Sequence, residues 1–295
     1  MAFLRRLIYV VLGSLAIAAT FYALGRLLAV TGGLAVLGID EPSVLRAGLV
    51  LAWAGALSCW AAGREIAFWS VNARPWQAQD AQRAGDVPAA AAALAARLGL
   101  PAAEVTVYPS REVNAFAVSR PFGANRIMLA VSTSLLGRLD QEETKAVIAH
   151  ELAKVGSGDV ATLLLVQGFV WMFTLFPARM VALLCGTSLR TAEEETASDL
   201  FEVAIIAALE ICFVPLASLV ARACARGAEA RADRAAAAVV GAAPLRAVLA
   251  DVAAQNAATP LREVFTAPLK FVQPVKPALR FLSYHLPVAT RLAAL

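Results

Sequence analysis

Charge is scarce in this chain of 295 residues, with 16% Asp, Glu, Lys and Arg set against 60% hydrophobic residues. That balance is too apolar for a soluble globule of this length, and the apolar excess falls in blocks, so the sequence reads as an integral membrane protein. Cysteine is limited to Cys59, Cys185, Cys212 and Cys224. Each sits in or beside an apolar run and none forms a CxxC pair, which argues for small buried residues over disulfides or thiolate metal sites. Histidine is rarer still, with only His150 and His285. No basic patch is interleaved with aromatics, so the net charge of +4 reflects arginines near membrane boundaries and needs no nucleic-acid partner.

Four apolar segments stand out. Residues 7–25 are uncharged after Arg5 and Arg6 and, with 27–30, are long enough to span a bilayer. A cleaved signal peptide has the same charged start and apolar middle, but this run is long and three more follow. The second segment covers about 47–69. The third covers about 160–184 and is interrupted by Pro177 and Arg179, so it either spans or lies as an amphipathic helix dipping into the bilayer. The fourth, about 201–223, carries Glu202 and Glu210. Arg5, Arg6, Arg64, Arg74, Arg222 and Arg226 flank one side and outnumber Arg26 and Arg46 in the first connection. The third connection is acidic, with Glu193, Glu194, Glu195 and Asp199. This bias predicts cytoplasmic termini and a cytoplasmic block between the second and third spans.

That block supplies the soluble structure. An alanine-rich helix is expected over 89–98, then short strands at 105–108, 114–118 and 126–131, the last two able to form a hairpin edge. A strand edge can pair with an extended polypeptide, or simply pack a helix. The next stretch, QEETKAVIAHELAKVGSGDV from Gln141, reads as a helix capped by Asp140 with Glu143 three residues on. On it His150 and Lys154 are one turn apart on one face, with Glu151 beside them. A zinc hydrolase places two imidazoles at that spacing and a carboxylate next to the metal-bound water. Here the sequence is HELAK, so the second ligand position carries lysine. After the fourth segment, EARAD places Glu229 and Asp233 at i and i+4. By itself that pattern fits a solvated helix salt-bridged by Arg226, Arg231 and Arg234. Another short helix is expected over 242–252, a loop over 260–277, and His285 reads as a structural or exposed residue near the C-terminus.

Taken in order, VNAFA, LAVSTSLL, ETKAVIAHELAKVGSGD, EARAD and HLPVATRLAAL, with membrane segments between them, resemble the HtpX-like membrane zinc metalloproteases, relatives of the CAAX prenyl proteases. The resemblance implies a mainly α integral membrane protein with four transmembrane helices and a cytoplasmic α+β zincin-like metalloprotease domain containing a small sheet. Its divisions would be 1–73 (two spans), 74–159 (the part with the HExxK helix), 160–224 (a transmembrane hairpin) and 225–295 (the part with the EARAD helix). The implied place is the bacterial inner membrane, with the active-site domain in the cytoplasm. The implied partners are the lipid bilayer and membrane-protein or unfolded polypeptide clients, cleaved in quality control.

The same resemblance implies a zinc endopeptidase site with His150 and Glu229 as metal ligands, Glu151 as the general base, Asp233 behind the ligands, and Asn114 and Phe116 on the substrate-pairing strand. Lys154 stands where the family has its second histidine. Ala228 and Ala230 replace the residues flanking the glutamate, and Leu286 replaces the first proline after His285. A lysine ammonium about 3 Å from Zn²⁺ is repelled by roughly 10 kcal/mol at an effective dielectric of about 20. The alternative needs no metal: Lys154 enters the ligand position and pairs with Glu151 and Glu229. The sequence therefore leaves two functions open, an endopeptidase with a weakened or altered site and a pseudoprotease that binds clients without cutting them. A transporter built around Glu210 is a third reading.

Overall fold

The computed structural model describes residues 2–30, 32, 34–35, 38, 40–121, 127–171, 219–256, 266, 268–271 and 283–295. The chain divides into two compact units, residues 3–59 with 165–221 and residues 60–164 with 222–295.

The first unit holds the long apolar helix α1 (Ala2–Val30) and the beginning of α2 (Glu41–Ser70). Two stretches, Arg6–Ala23 and Glu41–Ser70, are long and apolar enough to cross a membrane. Leu7, Ile8, Val11, Leu12 and Leu15 of α1 are all exposed, an apolar face that suits lipid better than water. The opposite face packs: Phe21 is fully buried and lies where a side chain at Gly48 would stand. In α7 (Asp159–Trp171), Gly168 lies so close to the backbone of Gly55 and Ala56 that a Cβ there would come within 2.5 Å of Ala56. Four spans were expected. Two helices of the necessary length and composition occur among the described residues, α7 begins the third segment as a shorter apolar helix, and the fourth segment up to residue 218, with Glu202 and Glu210, lies outside the described residues.

The second unit is built on a four-stranded mixed sheet. Its strands are β1 (Arg74–Pro75), β2 (Ala103–Tyr108), β3 (Ala115–Ser119) and β4 (Ile127–Ser132), in the order β1-β2-β4-β3. The parallel β2–β4 pair is central, and β3 and β4 form the expected antiparallel hairpin. That order leaves β3 on an edge. The sheet core of Val105, Val107, Leu129 and Val131 packs with α4 (Val87–Arg97) and α6 (Gln141–Gly156) through Ala91, Leu94, Val147, Ile148 and Leu152. Every residue of β4 is buried, which accounts for its unbroken apolar run IMLAV.

Local chemistry sets the helix starts. Asp140 accepts from the Glu143 amide at 2.8 Å and Glu143 accepts from the Asp140 amide at 3.1 Å, closing the capping box that starts α6. The short α3 (Ala78–Ala84) precedes α4, which Asp86 and Pro88 start, and Ser132 caps the short α5 (Thr133–Arg138). A helix over 219–240 (α8) carries Glu229 and Asp233. Then come α9 (Ala242–Asn256), which adds Leu245, Val248, Leu249 and Val252 to the core, and the terminal α10 (Val288–Ala294).

Candidate functional site

Helix α6 presents His150, Glu151 and Lys154 to the interior, each 2% exposed or less. The residues predicted from sequence converge here, but their partners differ from the expected ones. Lys154 Nζ donates to the Glu151 carboxylate at 3.0 Å and to the carbonyl oxygen of Leu269 at 2.5 Å. The expected Glu151 pairing is present. Glu229 is engaged elsewhere: it pairs with His285, accepts from the Leu286 amide at 2.6 Å, and lies 3.7 Å from the Arg291 guanidinium.

The centre of the site is Arg291, in the last turn of α10. It grips Asp233 with two parallel hydrogen bonds of 2.8 and 2.7 Å, donates to the Phe271 carbonyl at 2.8 Å, and stacks on the Phe271 ring with 4.9 Å to the centroid. The paired bonds exploit the planar fork that lysine lacks. Asp233 also lies 2.8 Å from His150 Nδ1, so His150 and Glu229 flank a single guanidinium. The solvated-helix reading of EARAD is thereby corrected. Glu229 and Asp233 are 2% and 3% exposed, and the neighbouring arginines turn away from them, Arg231 to Asp159, Arg226 to the Ser283 carbonyl and Arg234 to the Ala230 carbonyl.

Electrostatics follow from burial. Desolvation holds the His150 imidazole below its usual range, outweighing the pull of Asp233. The ring's Nδ1 faces the Asp233 carboxylate at 2.8 Å. Burial also opposes charge on Glu229 and Asp233, but His285 and Arg291 around the first, and His150 and Arg291 around the second, overcome it. Both carboxylates stay ionised below the ordinary range.

Glu151 reaches the sheet as well. Its second oxygen accepts from the Ala117 amide at 3.3 Å. Asn114 and Phe116, the expected substrate-pairing residues, are fully buried. The Asn114 carbonyl accepts from Ser132, in line with β4, so strand alternation turns the peptide groups of Ala115 and Ala117, and not those of Phe116, to the open edge. Phe116 pairs with Ala130 and packs its ring near Tyr108. The Asn114 side chain does reach the edge, where Oδ1 accepts from the Phe271 amide at 2.9 Å.

The zinc implied by the resemblance needs converging donors. One atom fits: His150 Nε2 is buried without a hydrogen-bond partner, the state of a ligand nitrogen facing a metal position. The rest of the set does not fit. Lys154 offers N–H donors already committed to Glu151 and a carbonyl, Glu229 is neutralised by His285 and Arg291, and among the described residues no three His, Cys, Asp or Glu side chains gather to hold a metal ion.

Sequence reading missed Arg291, the depth of His285, and the buried Lys270–Glu112 pair at 2.7 Å. Arg291 stands in the HLPVATRLAAL block, and a lone cation on one face of a short, otherwise apolar terminal helix was the available signal.

Comparison with known proteins bears on these residues. Protease HtpX of Glaesserella parasuis serovar 5 (strain SH0165) is 31% identical over 233 residues, covering 76% of this chain and 77% of that protein. The protease HtpX homolog of Chlorobium phaeobacteroides (strain BS1) is 32% identical over 239 residues, covering 81% and 78%. Among solved structures, S. mikatae Ste24p superimposes with a TM-score of 0.53 at 16% identity, a likeness of fold, over 93% of this chain and 64% of that one. Residues 81–295, which include all of the side chains above, match peptidase family M48, and the chain belongs to that family.

Proposed function

We propose that this chain is a membrane-anchored M48 scaffold that engages polypeptide clients along the β3 edge, with metal-assisted hydrolysis weakened or lost. The observation that carries this reading is the side-chain nitrogen of Lys154, at the second ligand position, bonded to Glu151 and to the Leu269 carbonyl. In HExxH chemistry the glutamate takes a proton from a metal-bound water. Here Glu151 accepts from Lys154 and from the Ala117 amide, which makes it a structural anchor between α6 and β3. The exposed apolar face of α1 supports placement in a bilayer. The resemblance supports the bacterial inner membrane, a cytoplasmic site, and unfolded or membrane-protein clients met in quality control.

One observation favours a retained metal. His150 Nε2 has no hydrogen-bond partner, with the nearest carboxylate oxygen, that of Glu151, 3.8 Å away, and a buried nitrogen left unsatisfied is costly unless something is bound to it. In that second reading zinc is held by a non-standard ligand set and the chain remains an endopeptidase.

The test uses the full chain purified in detergent and incubated with casein and with a denatured membrane protein. The proposal expects client binding without cleavage, unchanged by Glu151→Gln apart from stability. Cleavage abolished by Glu151→Gln establishes the second reading.

A further inference from the structure

The open edge of β3 is already met by the chain's own residues 269–271, a turn in which the Leu269 and Lys270 amides donate to the Thr266 carbonyl at 2.9 and 3.1 Å. The Phe271 amide donates to the Ala115 carbonyl at 3.0 Å, a bond of the kind an added strand makes. Three further contacts fix the strap. Lys154 holds the Leu269 carbonyl, and Arg291 holds the Phe271 carbonyl. Lys270, fully buried, places its Nζ 2.7 Å from Glu112, which is 2% exposed. The Phe271 ring is fully buried, edge-on to His150 at 4.9 Å and beneath the Arg291 guanidinium.

A backbone bond to a strand edge, a basic side chain on a buried carboxylate and an aromatic ring in a closed pocket are together contacts by which a short peptide segment is read. We propose that residues 269–271 act as an internal pseudosubstrate: they fill the client groove, and a client enters by displacing them. The groove is therefore selective for a segment with a basic residue followed by an aromatic one, Glu112 taking the cation and the His150–Arg291 pocket the ring. The next outward amide, Ala117, is held by the Glu151 carboxylate at 3.3 Å, so a longer client replaces that contact as well. This rests on the reading of β3 as the peptide-pairing edge.

The probe is an acetylated, amidated peptide of the strap's own sequence, Ala-Pro-Leu-Lys-Phe-Val, labelled for fluorescence anisotropy and added to the full chain in detergent. The double variant Lys270→Ala with Phe271→Ala empties both pockets and is expected to bind it at least about tenfold more tightly than the parent. The same peptide with Glu in place of Lys is expected not to bind. Hydrogen exchange on the parent chain covers the case in which the variant does not fold. Saturating peptide should expose the Phe271 amide and protect residues 115–119. A parent that binds as tightly as the folded variant, with unchanged exchange at Phe271, overturns the strap while leaving β3 as a peptide edge. No binding to the folded variant, or to the parent at any concentration with exchange unaltered, overturns the edge reading and the strap with it.

Discussion

Lys154 Nζ lies 3.0 Å from the Glu151 carboxylate, one helical turn away on α6, and both side chains are buried. The pair is internally balanced, and Glu151 is satisfied on its other oxygen by the Ala117 amide. Breaking a buried pair by deleting one partner leaves an uncompensated charge and costs about 3 to 5 kcal/mol. Lys154→Met should destabilise the protein by about that amount in detergent-based chemical denaturation. Lys154→Met with Glu151→Gln should recover much of the loss, because no isolated charge remains. Equal losses in the single and double variants would contradict the pairing.

Arg291 connects Asp233, Phe271 and the neighbourhood of Glu229 and His150. Its replacement by lysine keeps the charge but removes the paired fork and the stacked plane. Arg291→Lys should therefore cost about 2 to 4 kcal/mol and Arg291→Met more, since Asp233 is then left buried against His150 alone. Denaturation midpoints of the two variants measure this, and an Arg291→Lys protein as stable as its parent would remove Arg291 from the centre of the site.

Stability should fall on acidification in two stages. The folded-state pKa values of His150, Glu229 and Asp233 are all depressed, so each contributes stability that is present above its unfolded value and lost as pH falls toward its folded one. The first loss begins below about pH 6.5, where an unfolded histidine takes up a proton that buried His150 resists, and the second below about pH 4, where unfolded carboxylates do the same. Melting temperatures from pH 8 to 3 test the sequence of events. His150→Gln should flatten the first stage and shrink the Asp233 share of the second, leaving the share of Glu229, which His285 and Arg291 hold down.

Much of this arrangement was legible in the sequence where the cause is local. Asp140 and Glu143 cap α6 because the two residues satisfy each other's backbone within a single turn, and the strands at 103–108, 115–119 and 127–132 follow their apolar runs to within a few residues. Glu229 and Asp233 were picked out by the order of motifs, since the same spacing on an Ala- and Arg-rich helix reads equally well as surface. Of the partners of Lys154, Glu151 was legible and the other was not. It is a backbone carbonyl 115 residues away, and a carbonyl has no residue type to announce it. Lys270 and Glu112 likewise gave no signal, because only the tertiary fold brings a loop lysine to a loop glutamate. The short β1 strand escaped notice because two residues, one of them proline, carry no periodicity.

Helix packing in the first unit makes a separate prediction. A Cβ at Gly168 would meet the backbone around Ala56 at 2.5 Å, where no flexible side chain can move aside. Gly168→Ala should cost about 1 to 3 kcal/mol through forced separation of the two helices, and Gly168→Leu should prevent stable accumulation. Thermal melts in detergent distinguish this from Gly137→Ala, where nothing lies within 4 Å of the added carbon.

The central claim is that a lysine side chain has taken the place of a metal ligand, and zinc stoichiometry tests it most directly. Full-length protein purified in detergent from zinc-replete cells should carry far less than one zinc per chain, and Lys154→His, which restores a second imidazole one turn from His150, should raise the content toward about one. About one tightly held zinc in the unaltered chain, lost on His150→Ala, would contradict the account.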